Sequence, residues 1–179
     1  MVDDELAAIQ NIFGGEVLLN DGFKKSAIKQ ALFQTQPNVV HIASHAVFGG
    51  TAESNFILTY DGHLTIDELA EYAGIAKYRD KPLELLVLSA CETAAGDERA
   101  VLGMAGAAIK AGARSAVGSL WEIADEAAFQ FYVTFYQTLK DTDLSKAAIL
   151  QKVQLKLLEH KDFRHPYYWA PFLLINNWL

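Results

Sequence analysis

The sequence predicts an α/β fold, with a mostly parallel sheet covered by helices on both faces. Three observations carry that expectation. Three short runs are almost wholly apolar (Val39–Ala43, Leu85–Leu88 and Ser115–Gly118), as strands buried on both faces are. Segments with helical spacing separate these runs. Turn-forming residues sit between the two kinds of segment, and strand–helix alternation of this kind favours parallel pairing.

The elements follow in order. Residues 3–12 read as a helix ended by Gly14-Gly15, and 16–19 (Glu-Val-Leu-Leu) as a short strand. Residues 23–34 space Ile28, Ala31 and Leu32 along one helix face. Val39–Ala43 is the first buried strand. Residues 55–60 form another strand, turned by Asp61-Gly62. Thr65 and Glu68 have the spacing of a capping box and open a helix that runs to about residue 73, before Gly74. After the strand at 85–88, residues 101–111 form a helix rich in Gly and Ala, with Gly112 suited to its C-terminal left-handed position. Ser115–Gly118 is the third buried strand. Residues 125–139 and 145–159 are amphipathic helices, and Phe172–Ile175 is the last strand.

The 179 residues suit one domain, 1–179. Fifteen Lys and Arg against 22 Asp and Glu give a net charge of −7, which disfavours nucleic acid as the main partner. Lys110 and Arg114 interrupt the most apolar stretch, so no membrane span is expected. The acidic N-terminus is unlike a secretory signal, and a single Cys fits a reducing compartment, so the expected location is cytoplasmic. One thiol and no suitable His spacing predict no metal, and neither a Gly-x-Gly-x-x-Gly turn nor a Gly-x-Ser-x-Gly elbow is present. No cofactor is expected.

Sites in such sheets lie beyond the carboxyl ends of the strands. Three segments qualify: Ser44-His45-Ala46, Ser89-Ala90-Cys91-Glu92-Thr93 and Trp121–Asp125. Cys91, the only cysteine, and His45 thus leave two of the apolar strands, 46 residues apart, a separation that suits strands joined by a crossover. A thiolate needs a partner that takes its proton and later protonates a leaving amine, and imidazole titrates in the right range. The main-chain N–H groups of Ala46 and Cys91 are the candidate oxyanion donors. On residues alone, Cys91 reads equally as a small buried apolar side chain or an oxidation-sensitive thiol. His41 reads as a packed strand histidine or as an orienter of His45. His63 reads as solvated and His165 as structural. Asp97-Glu98-Arg99 reads as a surface loop or a cleft-shaping one, and Trp169, Trp178, Tyr167, Tyr168 and Phe172 read as a packing cluster.

The runs His41-Ile-Ala-Ser-His45-Ala-Val-Phe48 and Leu88-Ser-Ala-Cys91-Glu-Thr-Ala94 resemble the two signature motifs of the CHAT domain, a caspase-like family often found behind tetratricopeptide repeats. Gly103–Trp121 and His165–Phe172 resemble its helix–strand segment and C-terminal hallmark. The resemblance implies a three-layer α/β/α caspase–hemoglobinase fold and a cysteine endopeptidase with base His45 and nucleophile Cys91. It implies no metal or organic cofactor, a protein or peptide substrate, and a helical-repeat regulatory region in a longer protein. On this reading the chain is that protein's C-terminal part and starts after the family's first core strand.

The sequence departs from the family in having His45-Ala46 where His-Gly is usual. That departure leaves a catalytically inactive interaction or signalling module as the alternative. Leu120–Asp125 is similar to a separase run that carries an acid for the residue before the cut. Glu122 or Asp125 would then line a pocket for Arg or Lys, the other reading of Asp125 being an ordinary helix cap.

Overall fold

The computed structural model describes residues 2–48, 55–74, 83–89, 92–93, 106 and 109–179. In chain order these form α1 (Val2–Phe13), α2 (Lys25–Thr35), β1 (Val39–Ala43), β2 (Ala46–Phe48), β3 (Phe56–Thr59), β4 (Gly62–Thr65), α3 (Ile66–Gly74), β5 (Leu83–Ser89), β6 (Glu92–Thr93), β7 (Ala113–Ser119), α4 (Asp125–Asp141), α5 (Lys146–Glu159), α6 (Pro166–Trp169) and β8 (Phe172–Asn176). The helix expected at 101–111 lies largely outside the described residues. Its described part, Gly106, Ile109 and Lys110, is helical, and Gly112 follows at φ 70° with its N–H on the Ile109 carbonyl at 3.0 Å.

The central sheet has the order β1-β5-β7-β8. The first three strands are parallel and β8 runs antiparallel to β7, so the expected mostly parallel sheet is present. Period-two alternation divides its side chains between two cores. Leu85, Val87 and Val117 face Ile9 of α1, Phe131 and Phe135 of α4, and Ile149 and Val153 of α5. Ile42, Leu86, Leu88 and Ala116 face Ile28 and Leu32 of α2 and Leu69 and Ala73 of α3. With both faces dry, β5 and β7 carry no polar alternation, which is why they read as continuous apolar runs.

The sequence did not foreshadow a second sheet, ordered β4-β3-β2-β6. Three-residue β2 and two-residue β6 are too short to show a period. The β3–β4 hairpin closes on the pair Thr59↔Gly62, so the turn residues are Tyr60 and Asp61 rather than Asp61-Gly62. Gly62 has φ 134°, which explains the glycine there. The expected strand at 16–19 is also corrected, because Glu16–Leu19 joins no ladder among the described residues. Its apolar pattern reports burial: Leu18 packs on the core that includes Ile28 and Leu32.

Polar contacts tie the second sheet to the helices. The Lys25 main-chain N–H, in the first turn of α2, donates to the Asp61 carboxylate at 3.0 Å, and this bond holds the Asp61 carboxyl below its usual pKa. The capping box at Thr65 forms both of its bonds. Glu68 N–H donates to Thr65 Oγ1 at 3.1 Å, and Thr65 N–H donates to Glu68 Oε2 at 2.8 Å. Lys25 Nζ adds an ion pair to Glu68 at 3.0 Å. The Thr65 N–H first, then Lys25, lower the Glu68 pKa.

A carboxylate held below its unfolded pKa contributes stability at neutral pH and loses it as pH falls through the folded value. Chemical denaturation of Glu68→Gln will therefore show a deficit against wild type at pH 7 that closes through the acidic carboxylate range. Thr65→Ala will cost about 1 kcal/mol.

Candidate active site

The site lies where β1 and β5 end together. Ala43 is the partner of Ser89 in the parallel ladder, and the Ser44 N–H donates to the Ser89 carbonyl at 3.3 Å. The chain then leaves the central sheet and enters the second. Ser44 Oγ donates to the Leu58 carbonyl at 2.6 Å, and Leu58 N–H donates to the His45 carbonyl at 2.8 Å. His45 lies between the two sheets, with an exposed side chain. Two residues later, Val47 pairs with Glu92, again in parallel. Cys91 itself lies outside the described residues, as does the Asp97-Glu98-Arg99 loop. The described residues before and after Cys91, Ser89 and Glu92, are the register partners of Ala43 and Val47, which bracket His45.

Ala46 resolves a question the sequence raised. It is a strand residue, 3% exposed, paired with Ile57 in β3, and its φ is not positive. This position therefore does not require glycine. The His45 carbonyl is bonded to β3, so alternation turns the N–H of Ala46 away from β3 and toward the β6 side. That is the side of the strand that contains Glu92.

A cavity of about 900 Å³ adjoins His45, and Ser89, Ser119, Glu122 and Asp125 line it as well. Glu122 and Asp125 are both exposed. Asp125 is the first residue of α4, and the N-cap position falls to Ala124, which makes no side-chain cap bond. No Lys or Arg is among the described residues around the cavity. The segment before α4 is held from the C-terminal hallmark. Trp121 Nε1 donates to the Tyr167 carbonyl at 3.0 Å, and Tyr167 Oη donates to the Glu122 carbonyl at 2.8 Å. The Leu120 N–H donates to the Pro171 carbonyl at 3.0 Å. His165 acts structurally: it caps α6, its Nδ1 accepting from the Tyr167 N–H at 3.2 Å. The expected aromatic cluster holds for Phe172, which stacks on Phe131 at 3.4 Å, and fails for Trp178, which is 59% exposed.

His41 is a packed strand residue. Its Nε2 lies 2.9 Å from Glu5 Oε1 and its Nδ1 lies 3.1 Å from the Tyr136 hydroxyl, with its side chain and that of Glu5 only 8% and 7% exposed. A carboxylate only accepts, so Nε2 carries the proton. Burial first, then the Glu5 charge, raises the Tyr136 pKa far above the usual phenol value, which keeps its hydroxyl protonated. Sequence reasoning missed this triad because its members come from three elements, α1, β1 and α4. The one available signal was an acid inside the first turn of an amphipathic helix.

Among the described residues, no group of three or more His, Cys, Asp or Glu side chains is arranged to hold a metal ion. No helix among them is long and apolar enough to cross a membrane.

The fold and site together define a mixed α/β protein whose mostly parallel sheet ends in a His-bearing crossover beside a cavity with acidic residues in its lining. The family model of the CHAT domain matches residues 1–177, and the chain belongs to that family, a caspase-like peptidase family. None of the curated proteins matches the chain.

Removing the Glu5 carboxylate leaves the His41 N–H without its buried acceptor. Glu5→Ala is expected to lower unfolding stability by about 2–3 kcal/mol, read by urea denaturation.

Proposed function

We propose that the chain is a cysteine endopeptidase with a caspase–hemoglobinase-type α/β/α architecture, in which His45 is the base and Cys91 the nucleophile. The register on either side of the two residues carries this reading. Ala43 pairs with Ser89 and Val47 with Glu92, so the short segments bearing His45 and Cys91 leave adjacent strands and re-enter pairing together. The exposed His45 ring and the direction of the Ala46 N–H support it further.

In the reaction, His45 takes the Cys91 proton and the thiolate attacks the scissile carbonyl carbon. The Ala46 and Cys91 N–H groups hold the oxyanion. The intermediate collapses with cleavage of the C–N bond, and the His45 imidazolium protonates the departing amine. Water, deprotonated by His45, then attacks the thioester, releasing the acid and restoring the thiol. Glu122 and Asp125, in a cavity lining with no described cation, favour Arg or Lys before the cut. The substrate is a cytoplasmic protein or peptide, and regulation comes from a helical-repeat region of a longer protein.

A thiol-directed peptidyl probe tests the dyad. Labelling will occur at Cys91, vanish in Cys91→Ala and slow by about 10²–10⁴-fold in His45→Ala. Labelling no faster than that of a free thiol, and unchanged by His45→Ala, would overturn the enzyme reading in favour of a non-catalytic module. In a peptide library, Glu122→Gln combined with Asp125→Asn will reduce the preference for Arg and Lys over Leu and Met by about tenfold.

A further inference from the structure

β3 carries an apolar run, Phe56-Ile57-Leu58, although only one face of its sheet is dry. Ile57 is buried on that face together with its register partners Ala46 and Leu64. By alternation Phe56 and Leu58 point to the other face. Phe56 is half-buried there and Leu58 is 40% exposed. The outer face of an antiparallel sheet is ordinarily polar. This one also carries Val47, opposite Phe56, and His63, opposite Leu58. The His63 ring stacks on Phe56, with centroids 3.8 Å apart and planes inclined by 11°. None of these four side chains is a carboxylate or an ammonium. Packing within the protein does not account for an apolar residue as exposed as Leu58 at the centre of such a face.

The face reaches the proposed base. Carried one step past the pair Ala46↔Ile57, the register sets Leu58 opposite His45, and the Leu58 N–H donates to the His45 carbonyl at 2.8 Å. Residues directly opposite share a face, with Cβ atoms about 4.5–5.5 Å apart. The exposed His45 side chain thus stands beside that of Leu58. Ser44 Oγ donates to the Leu58 carbonyl at 2.6 Å, so both main-chain groups of Leu58 are held at this point. Leu58 also lines the cavity that His45, Glu122 and Asp125 line.

We propose that Leu58, backed by Phe56 and Val47, is the subsite for the residue immediately after the cut, and that this residue is a large apolar one such as Leu, Phe or Met. The assignment rests on the endopeptidase reading above. His45 protonates the departing amine, so that nitrogen must come within about 3 Å of the ring. The residue that bears the nitrogen is the first of the leaving portion. Its side chain projects within one residue length, about 3.3 Å, of the ring and so meets the outer face at Leu58. A face without charged groups favours an apolar side chain there and leaves a charged one without a partner.

The test uses the Cys91→Ala chain, so that no cleavage intervenes, and three peptides that differ only in the residue after a central Arg: Leu, Gly or Asp. Fluorescence anisotropy will show the Leu peptide binding about tenfold more tightly than the Gly peptide, with the Asp peptide weakest. With benzoylphenylalanine at that position, irradiation will cross-link the peptide to Leu58 or Phe56, as located by mass spectrometry. Adding Leu58→Thr keeps a strand-forming residue and its main-chain bonds, and will bring the Leu and Gly peptides within about twofold of each other. The cross-link decides the matter without that variant should it fail to fold. Equal binding of the three peptides, a cross-link confined to other residues or absent, or a dimer that Leu58→Thr dissociates would each overturn the proposal. The thiol-directed probe ends at its electrophile and has no residue after it. Labelling of Cys91 by that probe without a cross-link on this face removes this assignment alone, whereas absent labelling removes the endopeptidase reading and this assignment with it.

Discussion

The arrangement at the site depends on one constraint: two chain segments stay in parallel register while passing from one sheet into another. β1 and β5 are partners up to Ala43 and Ser89, and β2 and β6 are partners again from Val47 and Glu92. Main-chain pairing before and after the crossover limits how far the two intervening segments can separate. Ser44 fixes the point of transfer, since its N–H still belongs to β5 and its hydroxyl already bonds Leu58 of β3. His45, just past this point, belongs to neither strand, with its carbonyl held by Leu58 N–H and its side chain exposed at the carboxyl end of the sheet, where ligands of such folds bind.

Packing on both faces of the central sheet holds the strands that lead into that crossover. β5 and β7 have both faces buried, and Ala116, Val117 and Gly118 keep the second of these strands slim between two helical coverings. On one face α4 brings Phe131 and Phe135 against Phe172, and the Tyr132 hydroxyl donates to the Leu88 carbonyl at 3.3 Å, one residue before the end of β5. On the other, Lys25 joins α2 to both the β3–β4 hairpin and α3 through Asp61 and Glu68. The C-terminal hallmark adds the clamp on residues 120–122, so the acidic side of the cavity is positioned by chain distant in sequence.

Legibility in the sequence followed burial and locality. β5 and β7 were readable because strands dry on both faces are written in uninterrupted apolar residues, and half-buried β1 because its run is β-branched and apolar. The Thr65–Glu68 cap was readable because its chemistry is complete within four residues, and Gly112 because a left-handed terminus needs a glycine. What lay hidden was long-range or short in extent. β2 and β6 exist only through their pairing with chain elsewhere. Segment 16–19 had the composition of a strand but no ladder partner among the described residues, and a strand is defined by its partner rather than its residues. Within the site, positions 45, 46, 122 and 125 were legible as strand exits. That Ala46 is an ordinary extended residue, with its N–H turned from β3, required the register of the second sheet.

The Glu5–His41–Tyr136 triad connects the hidden and the legible parts. His41 sits on the edge strand, two residues before the end of β1, and its side chain reaches a carboxylate on α1 and a hydroxyl on α4. An apolar contact at that position would hold α1 through area alone, whereas directed bonds fix its angle and register against the sheet. α1 also carries Ile9 into the same core, so two kinds of interaction anchor one short helix. Because α1 forms a wall of the cavity that reaches His45, a displacement of α1 changes the shape of that cavity. A histidine that takes no part in the proposed chemistry therefore bears on it mechanically, through the helix it secures.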